Sequence, residues 1–253
     1  MKKSVIFPIL LLLSIAFVSA HEEETITPSN TDLSTTISLY FLAIAGLNTL
    51  ILATIAILTK KNMHNREKKT LFLGISIPIL LASLFLVGSV VYTNIQSDTN
   101  GPVHWHADFE VWACGEKLAL KSPEGLSNRI GTPLFHEHGD NRIHIEGTIT
   151  DLSDINLHSF FEVIGGKLTK ETLRVPTEEG LKEFATGEAC NGTVQVFVYK
   201  TTDETVTQEK LTDFEEYVIS PSSLVPPGDC LIIEFEPERE NTEHICDTYG
   251  EGE

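Results

Sequence analysis

Several kinds of chemistry are missing from this sequence. Its four cysteines, Cys114, Cys190, Cys230 and Cys246, show no Cys-x-x-Cys or other finger-like spacing, which argues against a cysteine-ligated zinc module. There is no glycine-rich phosphate loop, no serine elbow and no HExxH helix, so the common nucleotide, acyl-transfer and metalloprotease signatures are all lacking. Positive charge is scarce after Thr93: residues 94–253 carry 11 Lys and Arg against 31 Asp and Glu, whereas residues 1–93 carry 7 against 5. So acidic a surface repels phosphate backbones, which argues against nucleic-acid binding. It attracts cations, although a merely solvated surface has the same composition. Two long apolar runs, residues 37–59 and 71–92, contain no Asp, Glu, Lys, Arg or His. The usual mark of an ion or proton path through a membrane is therefore absent.

The first half of the chain reads as targeting and anchoring. Residues 1–20 have Lys2 and Lys3, an apolar core and a small-residue end at Val18-Ser19-Ala20, the layout of a secretory signal peptide. A polar spacer, residues 21–36, follows. Each apolar run exceeds the ~20 residues that cross a bilayer, so residues 37–93 are expected to form two transmembrane helices. The loop between them carries Lys60, Lys61, Arg66, Lys68 and Lys69 against Glu67 alone. Short basic loops stay in the cytoplasm. The expectation is a cell-membrane protein with both the spacer and the C-terminal domain outside the cytoplasm. Asn48 in the first span suggests an interhelical hydrogen bond, and Pro78 in the second suggests a kink. The hairpin then serves as an anchor, or as a surface for self-association or a partner protein.

After a linker at residues 94–102, residues 103–253 read as one exported domain, long enough to bury a core. Alternating patterns predict strands over residues 105–113, 116–120, 142–150, 172–175, 193–199 and 230–235. Residues 217–219 read as extended. Leu157, Phe160, Phe161 and Ile164 fall on one helical face, with Asp154 as the expected N-cap and Gly165-Gly166 as the stop. A short helix is expected over residues 178–184, a loop over 203–212 and a turn at Pro226-Pro227-Gly228. The class is α+β: a two-helix transmembrane hairpin, then a mixed sheet with one main helix in a β-grasp-like arrangement, with a β-sandwich as the alternative. In an oxidising compartment the four cysteines are expected to form two disulfides, three pairings being possible. Asn191-Gly192-Thr193 is a glycosylation sequon.

The organising stretch is residues 104–146. Side chains two apart on a strand share a face. His104 and His106 therefore lie with Asp108 and Glu110, opposite Trp105 and Phe109, and His144 lies with Glu146, opposite Ile143 and Ile145. His136 and His138 repeat the His-x-His spacing. This set suits a transition metal, copper or zinc, held by His104, His106, His136, His138 and His144 with Glu146 assisting. It offers more ligands than one ion needs, so some would orient others by hydrogen bonds, with Glu137, Asp108, Glu110 and Asp140 as the carboxylates for that role. His158 adjoins the helix's apolar stripe and reads as structural. His21, His64 and His244 carry no assignment.

The motifs His104-Trp105-His106-Ala107, Gly115, His136-Glu137-His138, Ile143-His144-Ile145-Glu146 and Phe160-Phe161 resemble those of an uncharacterised archaeal and bacterial family of membrane-anchored extracytoplasmic domains. The resemblance covers about residues 103–166, with a looser echo in PPGDCLIIEF. It implies that the histidines act as one constellation and implies no activity. The run HWHADFE is also similar to the His-x-His-x-x-x-Glu part of the cupin motif, but the flanking glycines are out of place and no second motif follows PPGD. The leading expectation is a metal-binding protein for sequestration, sensing or delivery. A metalloenzyme with Glu110, Glu137 or Glu146 as base and a structural module of the cell envelope are the alternatives.

Overall fold

The computed structural model describes residues 30–59, 63–126, 128–187, 189–202, 205–219 and 228–250. The expected signal peptide lies outside the described residues, as do Lys60, Lys61, Pro226 and Pro227. The chain divides into two compact units at Ser89, and each is taken by itself.

The first unit is a pair of helices, α1 (Asn30–Thr59) and α2 (Asn65–Gln96, which runs on into the second unit). Mean hydropathy reaches 2.3 over Thr36–Thr59 and 2.4 over Asn65–Gln96, so both are long and apolar enough to cross a membrane. α1 begins at Asn30, within the expected spacer. Most of the large apolar side chains of both helices are exposed, which suits lipid and not water. The two irregular residues prove to be one device. Pro78 has no N–H, so it cannot bond to the carbonyl of Gly74 four residues earlier. The Nδ2 of Asn48 donates to that same oxygen at 2.9 Å. Gly74 also permits the close approach, because a Cβ there would lie 2.9 Å from Leu52 Cδ1. Phe41 stacks on Phe85 with ring centroids 4.6 Å apart.

The second unit is α+β. Its first strands are β1 (Pro102–Ala113), β2 (Glu116–Leu118), β3 (Ile130–Gly131), β4 (Phe135–Glu137) and β5 (Arg142–Thr148). A 3-10 turn (Leu152–Ile155) leads into α3 (Leu157–Val163). Then come β6 (Lys167–Leu168), β7 (Thr172–Thr177), β8 (Gly180–Ala185), β9 (Thr193–Thr202), β10 (Thr205–Leu211), β11 (Asp229–Glu236) and the short α4 (Asp247–Gly250). Eight strands make one mixed sheet in the order β10-β9-β11-β1-β5-β4-β3, with β2 also on β1; β6, β7 and β8 form a second, three-stranded sheet. Among the described residues only β1 and β11 pair in parallel.

Alternation gives the main sheet two different faces. Phe109, Val111, Ile143, Ile145, Leu231 and Ile233 point one way and pack with Leu157, Phe160, Phe161 and Ile164 of the helical segment. Burying such side chains stabilises by roughly 1.5–3 kcal/mol each. Phe160 meets both Phe109 and Phe135 at 5.3 Å. The expected N-cap, Asp154, caps neither element. The chain enters α3 through the 3-10 turn, so two caps are used. Asp151 caps the turn, and the Asn156 side chain accepts from Ser159 N at 2.7 Å to cap α3. α3 stops before Gly165, whose φ of +83° suits glycine.

Two expected elements differ. Over residues 178–184 the chain makes a turn and then strand β8 (Gly180–Ala185) in place of a helix: β8 pairs with β7 along its length, and Phe184 packs on Phe235 at 5.4 Å. A helix that short has too few internal hydrogen bonds to compete with a ladder. Residues 205–211, expected as loop, are the edge strand β10 on β9. Its polar residues fit a half-exposed edge, and Thr205, Val206 and Thr207 were the β-branched signal.

The opposite face is partly covered by a C-terminal strap. Ile245, Cys246 and Tyr249 pack on Phe197, Tyr199, Cys230 and Ile232. Gln208 grips the strap, its Nε2 donating to Thr242 O at 2.9 Å and its Oε1 accepting from Thr242 N at 3.0 Å. His244 stacks on Trp112 at 3.6 Å. Of the three possible cysteine pairings, the structure has Cys114–Cys190 and Cys230–Cys246, with Cα separations of 5.7 and 5.9 Å. The second ties the strap to β11. The strap's reach along β1 extends from Trp112 to Asp108, which accepts from Thr248 Oγ1. The start of β1 and strands β5 and β4 carry the histidines on that same face.

Candidate metal centre

Strand register builds the centre. β1 and β5 run antiparallel with His104 opposite Glu146, His106 opposite His144, and Asp108 opposite Arg142. β4 pairs with the other side of β5, placing His136 opposite His144. Directly opposed side chains sit about 4.5–5.5 Å apart at Cβ. One row therefore reads His106, His144, His136 across three neighbouring strands. His104 joins it along β1, and His138 joins from just beyond β4.

The imidazoles form two groups of three. In His104, His106 and His144, and again in His136, His138 and His144, one ligand nitrogen from each residue lies within 4.8 Å of the others. Either group could hold a metal ion. His144 belongs to both; His104 and His106 do not share a group with His136 and His138. Ring centroids are 4.7 Å apart for His106 and His144, and 4.7 Å for His138 and His144.

Carboxylates and carbonyls orient these rings. Glu146 Oε1 lies 3.0 Å from His104 Nε2, on the exposed side of the cluster. Asp140 Oδ2 lies 3.2 Å from His144 Nε2. The carbonyl of Asn128 lies 2.5 Å from His138 Nδ1, which puts the proton on that nitrogen and leaves Nε2 with its lone pair. That Nε2 is 3.1 Å from His136 Nε2, so the proton between them belongs to His136. The Nδ1 atoms of His106 and His136 are buried with no hydrogen-bond partner. An orphaned buried nitrogen is uncommon, and an ion or water usually accounts for one.

The buried rings of the cluster are held neutral. Burial first, then the neighbouring imidazoles, hold His106 and His136 below the ordinary histidine pKa. Burial also lowers His144, against the opposing pull of Asp140. These three rings are neutral near pH 7 and offer lone pairs.

The other carboxylates with an expected orienting role do different work. Asp108 takes Arg142 Nε at 2.5 Å. Glu110 takes Trp112 Nε1 at 2.9 Å and Lys117 Nζ at 2.7 Å, so it does not complete a cupin-like set with His104 and His106. Both are engaged by cations and by neighbours of the strap. Glu137 faces away from His136 by strand alternation. Its Oε1 accepts from Asp140 N at 2.7 Å and Asn141 N at 3.2 Å. It therefore holds the turn that carries His138 and Asp140, and reaches no imidazole. Burial pushes its carboxyl pKa up, against those hydrogen bonds. His158, as expected, is structural: its Nδ1 lies 2.7 Å from Leu168 O. Sequence reasoning missed Asn128, whose contribution is a backbone carbonyl and leaves no trace in residue type.

No protein-family model, curated protein or solved structure matches this chain.

Proposed function

We propose that this protein is a membrane-anchored binder of a transition metal, copper or zinc, acting outside the cytoplasm in sequestration, sensing or delivery. One observation carries the reading: imidazoles from three separate segments meet on one sheet face, with His106, His144 and His136 side by side across β1, β5 and β4. Neutral imidazoles with nearby carboxylates are the donor set that borderline divalent ions prefer. Structural packing alone does not require buried ring nitrogens without partners. The outward location rests on the basic residues between the two helices, and the hairpin supplies the anchor.

A metal-dependent enzyme is the second reading. His104 keeps 62% of its side-chain surface, so an ion beside it would have a side open to water or substrate. The decisive experiment is metal analysis of the full chain purified in detergent, desalted after loading with zinc or copper, with His106→Ala/His144→Ala beside it. Bound metal in the native protein and its loss in the variant support the reading. A native protein that retains no metal removes it, leaving an envelope module.

A further inference from the structure

The histidines outnumber the needs of a single ion, and their grouping says how the excess is used. A tetrahedral ion takes about four ligands at ~2.0–2.1 Å from each nitrogen. Neighbouring donors on such an ion are then about 3.3 Å apart. One donor pair already stands near that spacing, His136 Nε2 and His138 Nε2 at 3.1 Å, whereas Glu146 and Asp140 each stand beside one imidazole and belong to neither triad. The two triads meet only at His144. His106 Nδ1, on the first side, is buried without a partner.

We propose that the centre is a two-ion site in which the imidazole of His144 bridges the metals. His104, His106 and His144 hold the first ion, with Glu146 orienting His104. His136, His138 and His144 hold the second, with Asp140 orienting His144. Each set is three nitrogens with the fourth position left to solvent, a combination that zinc and copper both accept. His144 sits on β5, between β1 and β4, and is the one ring able to serve both sides. One ring nitrogen of His144 serves each ion. A neutral imidazole has one lone pair, so the bridge forms by loss of the remaining ring proton. That proton leaves to solvent past Asp140, and the ring becomes an imidazolate with one lone pair for each ion. No electron is transferred, and both ions stay divalent.

This inference rests on the metal-binding reading and fails separately from it. The test is stoichiometry on the full chain in detergent, by calorimetric titration with zinc and by elemental analysis after desalting. Copper loading followed by spin quantitation gives a second readout. The expected result is two ions per chain, falling to one in His104→Ala and to one in His138→Ala. Both changes lie at the rim of the cluster, and circular dichroism checks that each variant folds. With two copper ions, coupling through the imidazolate brings the spin count well below two. One ion per native chain overturns the bridge and leaves metal binding standing. So does loss of all metal in either folded rim variant. No ion in the native chain removes the metal-binding reading itself.

Discussion

The bond between Asn48 and Gly74 makes a quantitative prediction about the apolar helical hairpin. Pro78 removes the helical donor for the Gly74 carbonyl, and Asn48 Nδ2 replaces it from the other helix at 2.9 Å. Replacing Asn48 with Leu strands a carbonyl in an apolar setting. Interhelical hydrogen bonds in membranes contribute about 0.6–2 kcal/mol, so Asn48→Leu should destabilise the hairpin by about 1–2 kcal/mol. The cause can be isolated with a cycle. Pro78→Ala restores an N–H four residues after Gly74, so the carbonyl regains a partner within its own helix. In that background Asn48→Leu should cost about 1 kcal/mol less than it does alone. Dyes on cysteines introduced into each helix would report hairpin opening during unfolding by SDS in mixed micelles. All four native cysteines are in disulfides, which leaves the new thiols to label. Equal costs of Asn48→Leu in both backgrounds would show that the asparagine does not serve the carbonyl that proline frees, and the reasoning would fall.

Acidification should weaken the metal-free outer unit. The pKa values of His106, His136 and His144 are lowered in the folded state, so below about pH 6.5 the unfolded chain binds protons that the folded chain resists. Their contribution is present above that pH and is lost as pH falls through the folded values; denaturant midpoints at pH 7.5 and 5.5 that do not fall would contradict it. Glu137→Ala, which removes the acceptor for the turn amides of Asp140 and Asn141, should weaken metal binding by His136 and His138 by about 10–100-fold. Glu137→Gln keeps that acceptor and should rescue it; equal calorimetric affinities for the two variants would refute a positioning role. Cys230→Ser/Cys246→Ser opens a loop spanning 16 residues and should cost about 3 kcal/mol in guanidinium unfolding. Its metal stoichiometry should be unchanged, because the strap contributes no ligand; metal loss from the folded double variant would count against that assignment.

Much of this protein was legible in local pattern. Apolar length marked both helices. Alternation marked β1, β5, β9 and β11, and it put His104, His106, His144 and Glu146 on one face because successive strand side chains must point to opposite sides. The i, i+3, i+4, i+7 spacing marked the buried side of α3. Local pattern failed where pairing outweighed propensity. β8 and β10 are strands because β7 and β9 lie beside them. The fates of the carboxylates were equally hidden. Glu110 and Asp108 share the histidines' face, yet Lys117, Arg142 and the strap from the far end of the chain claim them.

Residue order alone thus determined the α+β class of the chain, its two helices long and apolar enough to cross a membrane, and the histidines that share one face. Only the tertiary structure decided that they form two triads with His144 between, because period fixes which face a side chain takes while register fixes its neighbour. Register here comes from β5 lying between β1 and β4, and from β11 joining β1 after more than a hundred intervening residues. Contacts that distant in sequence leave no local signature.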